Sequence, residues 1–144
     1  MTEWRAEHGP EWCSLRMRFE ERELILLRGA EQVRGANLAH NARPTALRGA
    51  LALSKAGHKL RTAAPGASLT FEESELRLLI EAAQFAADEV HWAAGQRSAD
   101  DSATRRDAVL AAFPELVERG LWRSFALTRE LGELAARLQR ALAG

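Results

Sequence analysis

The sequence lacks several features that mark common protein classes. It contains no tyrosine and a single cysteine, Cys13, so a disulfide framework and a multi-cysteine zinc site are both excluded. No apolar run approaches the roughly 20 residues that cross a bilayer. Residues 1–10 are polar and lack the apolar core of a secretory signal. We therefore expect a soluble, cytoplasmic protein that has no membrane partner.

Motifs for catalysis and cofactor binding are also missing. The sequence shows no glycine-rich phosphate loop, no serine nucleophile elbow and no zinc-ligand spacing. Cys13 lies among alternating apolar residues with no histidine beside it, which favours an inert, buried thiol. The sequence therefore predicts no catalytic residue, no metal and no cofactor, and an enzyme is the least favoured of three classes.

The composition itself is that of an ordinary globular domain. Hydrophobic residues make up 47% and charged residues 28% of the 144 positions, and 20 basic side chains balance 20 acidic ones. This length suits a single domain. Within it we distinguish a polar leader at 1–18, a basic helical hairpin at 19–62, and a half of the bundle at 69–144 that starts with an acidic helix.

Two segments of the chain are nearly alike. Residues 19–32 and 71–84 are identical at nine of 14 aligned positions, beginning with Phe19 and Phe71. The match indicates either a duplicated helical hairpin or convergence on one helix-start pattern. The period lies in the range of helical repeat units, but two copies are too few for a solenoid.

The second copy has the clearest helix pattern, predicted at 71–94. Thr70 and Glu73 have the spacing of a capping box, and Gly95 is suited to end the helix. Its apolar residues recur at the spacing of one helical face: Leu76, Leu79, Ile80, Ala83, Ala87 and Val90.

The residues before the first copy allow two interpretations. Over 12–19, apolar and polar residues alternate, as in a half-buried strand. Such a strand would pair with its repeat mate at 67–71. The other interpretation, which we favour, is that a helix already starts here.

Further helices are predicted from local patterns. Pro44 opens a helix to about Leu60, with Leu47, Ala50 and Leu51 directed inward. A short helix from Pro114 is closed by Gly120. The last helix carries a leucine seam that packs within the bundle or forms a homodimer interface: Leu127, Leu131, Leu134 and Leu138. The predicted fold class is all-α, a compact bundle of five or six helices with an optional minor β element at 12–19 and 67–71.

The charges are unevenly placed along the chain. No acidic residue occurs between Gln32 and Phe71, whereas six occur from Glu72 to Glu89. The basic stretch could contact phosphates, or it could face the acidic helix, and we favour the second interpretation. The candidate nucleic-acid contacts are Arg34, Arg43, Arg48, Lys55, Lys59 and Arg61.

One polar cluster is a candidate pocket. It continues the apolar stripe of the first helix and comprises Asn37, His40, Asn41 and Arg43. The alternative, which we favour, is a solvated turn before Pro44. The polar stripe that contains Asp88 and His91 is interpreted as a solvated helix face.

The sequence thus favours a non-enzymatic helical interaction or regulatory protein that acts through protein–protein contacts. Its partner would be a second copy, giving a homodimer, or another protein. The alternative is a nucleic-acid-binding protein that uses the basic segment 34–61.

Overall fold

The computed structural model describes residues 7–8, 14–41, 43–94 and 103–143. Within these residues the chain forms five helices: α1 (Glu21–Asn41), α2 (Pro44–Arg61), α3 (Glu73–Ala94), α4 (Ala103–Ala112) and α5 (Glu115–Ala143). Three short strands accompany them: β1 (Glu7–His8), β2 (Ser14–Arg18) and β3 (Ser68–Glu72). The predicted all-α bundle with a minor β element is confirmed.

β2 lies between β1 and β3 in a small antiparallel sheet. Leu15 pairs with Phe71, and Met17 pairs with Leu69. The side chains at 15 and 17 are buried in the core, while those at 16 and 18 are exposed. The strand interpretation is therefore confirmed for the described part of 12–19, and the helical start that we favoured is wrong. Five residues of the segment that we assigned to a polar leader belong to this strand.

At both repeat copies a strand leads into a helix, and the two helices start with the same contact. The backbone N–H of Glu20 donates to Oε1 of Glu23 at 2.9 Å, and the backbone N–H of Glu72 donates to Oε1 of Glu75 at 2.9 Å. Each contact satisfies a donor that the helix itself leaves without a partner. The shared glutamates of the repeat are thus helix-capping residues.

This contact corrects the predicted start of the helix at 71–94. Phe71 and Glu72 complete β3, so α3 begins at Glu73. The capping box expected between Thr70 and Glu73 was placed too early. The strand extends further than the sequence indicated because Phe71 is paired in the sheet and fully buried.

α2 confirms the helix predicted from Pro44, but a different face meets the core. Leu47 and Leu51, expected to point inward with Ala50, are 48% and 63% exposed. A stripe of mostly small side chains is buried instead, which lets α2 pack closely against α1: Ala46, Leu53, Ala56, Gly57 and Leu60.

α3 is the central helix and contacts all four of the others. Every member of its predicted apolar stripe is buried. These residues belong to one hydrophobic cluster that also takes in residues of β2, β3 and the remaining helices. The cluster joins both repeat copies and α5 in a common core.

α5 is one continuous helix, whereas a break at Gly120 was predicted. A glycine inside a helix costs only about 1 kcal/mol, and burial of the leucines that follow offsets this. The leucine seam is at most 2% exposed and packs within the same chain, where α3 is the main neighbour of α5. No helix in the described part of the chain is long and apolar enough to cross a membrane.

Candidate binding surfaces

Part of the basic segment is neutralised inside the chain. Lys59 Nζ lies 2.7 Å from Oε1 of Glu75, and Arg61 Nη1 lies 3.0 Å from Oε2 of Glu31. The first of these pairs joins the basic helix to the acidic one, as the favoured interpretation of the charge pattern required. Two of the six predicted phosphate contacts are therefore already bound to carboxylates.

The solvent side of α2 keeps an unpaired basic character. We call it the α2 outer face, and its exposed residues are Leu47, Arg48, Leu51, Lys55 and His58. Arg43, just before the helix, is exposed as well. Neither Arg48 nor Lys55 forms an ion pair with a described residue. The face thus combines apolar and cationic side chains, with no acid on its helix.

A cleft of about 590 Å³ opens between the last turns of α1, the end of α3 and the start of α4. We call it the α1/α3/α4 cleft. Asn37 and His40 of the predicted polar pocket line it, whereas Arg43 does not, and the side chain of Asn41 lies outside the described residues. The described residues that line it are Val33, Ala36, Asn37, His40, Glu89, Thr104, Arg105 and Ala108.

A buried carboxylate anchors one side of this cleft. Glu89 is only 4% exposed. Nε of Arg105 donates to its two oxygens at 2.9 and 3.1 Å, and Nη2 bonds Oε2 as well. The guanidinium carbon lies 3.7 Å from the centroid of the Trp92 ring, a cation–π contact. The hydrogen bonds to Glu89 raise the pKa of Arg105 despite partial burial, so Arg105 stays charged.

Sequence reasoning missed Glu89 and Arg105. The available signal was that Glu89 follows Ala82 and Ala86 at helical spacing, on the apolar side of α3. An acid on a buried face needs a cation. The sequence does not show which arginine supplies it, because Arg105 comes from another helix.

The opposite side of the cleft is formed by α1. Nη1 of Arg34 donates to Oδ1 of Asn37 at 3.1 Å, and its guanidinium carbon lies 4.8 Å from the centroid of the Phe85 ring. Arg34 is therefore a third predicted phosphate contact that is held within the chain. His40 lies one turn beyond Asn37 and is exposed.

A separate ion-pair network joins α1 to α5. Arg22 donates to both oxygens of Glu130, at 2.8 and 3.0 Å, and lies 3.0 Å from Glu115. Arg123 contacts the same two glutamates. Hydrogen bonding from Arg22 holds the pKa of Glu130 below its ordinary value, against the opposing effect of partial burial. This network fixes α5 to the rest of the bundle.

The polar stripe of α3 has the position expected of a solvated face. Its members Glu81, Gln84, Asp88 and His91 are all exposed. Among the described residues, no three histidine, cysteine or acidic side chains are grouped in a way that could hold a metal ion. The α2 outer face and the α1/α3/α4 cleft are thus the two candidates for function.

Comparison with known proteins gives no relative for this chain. No known family matches it, and neither the curated proteins nor the solved structures contain a match. The function must therefore be argued from the chemistry of its own two surfaces.

Proposed function

We propose that this protein is a non-enzymatic interaction module that binds an acidic, amphipathic helix of a partner protein through the α2 outer face. The observation that carries the proposal is the position of Leu47 and Leu51 one turn apart, beside Arg48 and Lys55, on a solvent-exposed face. Exposed leucines rimmed by charge are typical of helix-binding surfaces. Acidic residues on the partner would match a helix that has no acid of its own.

Nucleic-acid binding through segment 34–61 is the second candidate, and the exposure of Arg43, Arg48 and Lys55 favours it. Two observations weigh against it. Lys59 and Arg61 are already paired with glutamates, and contacts to phosphate give no role to exposed leucines. A protein partner accounts for both the apolar and the basic residues of the face.

Self-association through the leucine seam has less structural support. Leu127, Leu131, Leu134 and Leu138 are covered by their own chain, so a second copy would need other residues. Light scattering on the intact chain tests this: a concentration-independent monomer would leave the homodimer without support. A dimer that is lost on changing the α2 outer face would instead identify the partner helix as one from a second copy.

The test uses a fluorescein-labelled acidic peptide of the same length as α2, with leucines on one face and glutamates beside them. Fluorescence anisotropy should show saturable binding. We expect Leu47→Ser/Leu51→Ser, and separately Arg48→Glu/Lys55→Glu, to weaken it at least about tenfold. Val117→Ser is the matched control, because Val117 is 69% exposed on a different helix.

Two further probes separate the alternatives. A scrambled peptide of the same composition, without an amphipathic face, should bind much more weakly; equal binding contradicts the proposal. Duplex DNA is titrated at about 50 and 200 mM salt, the range over which phosphate contacts lose affinity steeply. If duplex DNA binds tightly and Leu47→Ser/Leu51→Ser leaves its affinity unchanged, the α2 outer face would be assigned to nucleic acid instead.

A further inference from the structure

The α1/α3/α4 cleft shares no residue with the α2 outer face, so it raises a separate question. Its volume of about 590 Å³ lies within the range of about 300–1,000 Å³ that is usual for small-molecule sites. Val33, Ala36 and Ala108 give it apolar wall. The described lining also has five polar side chains, and their hydrogen-bonding state decides which ligand would fit.

The acceptor oxygens of Asn37 and Glu89 already accept hydrogen bonds within the chain, whereas Thr104 and His40 can donate or accept. Oδ1 of Asn37 accepts from Arg34, and both oxygens of Glu89 accept from Arg105. The amide nitrogen of Asn37 can still donate a hydrogen bond. Nη1 of Arg105 makes no hydrogen bond to a described residue, and the hydroxyl of Thr104 can also donate.

The helix dipoles do not decide whether the cleft prefers an anionic or a cationic ligand. The last turn of α1 and the first turn of α4 both border the cleft, and their dipoles act in opposite directions. The side chains decide it, because hydrogen-bond donors remain and the one carboxylate among the described lining residues is paired with Arg105. Hydrogen-bond donors that are separated by apolar side chains favour an anion that has an apolar body.

We propose that the α1/α3/α4 cleft binds a small amphipathic carboxylate. Its apolar body would lie along Val33, Ala36 and Ala108. Its carboxylate would accept hydrogen bonds from Asn37 and Arg105, with Thr104 and His40 as neighbouring donors. A hydrogen bond to an ionised carboxylate is stronger than one to a neutral oxygen, so these donors favour the anion.

Isothermal titration calorimetry with three probes of equal chain length tests the charge preference. The probes are octanoate, octylamine and octan-1-ol. We expect octanoate to bind with a Kd below about 1 mM and at least about tenfold more tightly than the other two. Equal binding of the amine or the alcohol, or no octanoate binding, would overturn the proposal.

Substitutions test whether octanoate binds in the cleft. Ala36→Trp should abolish octanoate binding by filling the space, while Ala136→Trp, at an exposed alanine of α5, should not. Asn37→Leu keeps the cleft shape but removes the amide donor, and should weaken binding by about tenfold. Binding lost in Ala136→Trp but kept in Ala36→Trp would contradict the assignment.

This result is independent of the proposed function. The Leu47→Ser/Leu51→Ser variant should bind octanoate as the unmodified chain does, because neither leucine lines the cleft. Circular dichroism on each variant identifies any that fails to fold, and Asn37→Leu, at an exposed helix position, is the variant best placed to keep the fold.

Discussion

Met17 and Leu69 lie directly opposite one another across β2 and β3, and they are also equivalent positions of the sequence repeat, since 69 − 17 is the repeat offset of 52. Antiparallel pairing of equivalent positions places a local twofold axis between them. Phe19 and Phe71, equivalent as well, contact edge to face with ring centroids 6.1 Å apart. The repeat is therefore a property of the fold and not only of the sequence.

Removing Arg105 should destabilise the fold, because it leaves the Glu89 carboxylate buried and unpaired. For Arg105→Ala we expect a loss of about 2 kcal/mol in the free energy of unfolding, less than in a fully buried pair since Arg105 is half-exposed. Arg129→Ala is the control: Arg129 is 82% exposed in its pair with Glu133, so its loss should stay within about 0.5 kcal/mol. Urea denaturation measures both, and equal losses would contradict the prediction.

Gly29→Ala should destabilise the protein although alanine is the better helix former. A Cβ at Gly29 would overlap a ring carbon of Phe113, so the ring must move. We expect a cost of about 1–3 kcal/mol. Gly132→Ala, where a Cβ meets nothing within 4 Å, should instead stabilise by up to about 1 kcal/mol. Thermal denaturation followed by circular dichroism should show opposite shifts in Tm; shifts of the same sign would count against a tight α1 contact.

The contact between Arg22 and Glu130 makes part of the stability dependent on pH. Since the folded pKa of Glu130 lies below its ordinary value of 4.5, its charged form stabilises the fold above the unfolded pKa. That stabilisation is lost as pH falls through the folded pKa. Glu130→Gln should therefore lose less stability than the unmodified chain on acidification below about pH 4.5.

Urea midpoints measured across this pH range test the linkage. Gln139→Ala, which removes an exposed uncharged side chain from the same helix, controls for the substitution itself. Parallel profiles for Glu130→Gln and the unmodified chain would show that Glu130 adds no pH-dependent stability.

The two leucines of the α2 outer face should contribute little to folding. We expect Leu47→Ser/Leu51→Ser to change the free energy of unfolding by no more than about 0.5 kcal/mol per site, as at exposed positions generally. Leu53→Ala, at a buried leucine of the same helix, should cost about 2–5 kcal/mol. Chemical denaturation distinguishes them, and a large loss in the double variant would mean that these leucines pack against the chain.

Local patterns predicted most of the helices, because helix starts and apolar stripes depend on residues that are close together in the sequence. Pro44 marked the start of α2, and all six residues of the predicted stripe of α3 are buried, although Ala82, Ala86 and Glu89 are buried beside them. The segment at β2 was ambiguous, since a short alternating run also fits a helix start, and only pairing with β3 decides. Leu47 and Leu51 were misassigned because hydrophobicity alone does not reveal that a small-residue face packs on α1.

Only part of the candidate cleft could be predicted from the sequence. Asn37 and His40 were candidates because they continue the stripe of α1, but a solvated turn was favoured there, whereas α1 runs on to Asn41. Glu89 and Arg105 were missed because their contact depends on how α3 and α4 are arranged in space. The charge pattern along the chain predicted that the basic stretch would face the acidic helix, and the pair of Lys59 with Glu75 agrees with this, although the two partners themselves were not predicted.

The small sheet also sets an order of events during folding. Its innermost β2–β3 pair, Arg18 with Ser68, joins positions that are 50 residues apart (68 − 18). Closing such a loop costs about 3.5 kcal/mol of chain entropy before any strand hydrogen bond forms, whereas α1 and α2 are neighbours in sequence. Pulse-labelled hydrogen exchange should protect the amides of α1 and α2 before those of β2 and β3, and the opposite order would exclude this pathway. β2 and β3 each precede the helix of a repeat copy in the sequence, but they would then form after that helix.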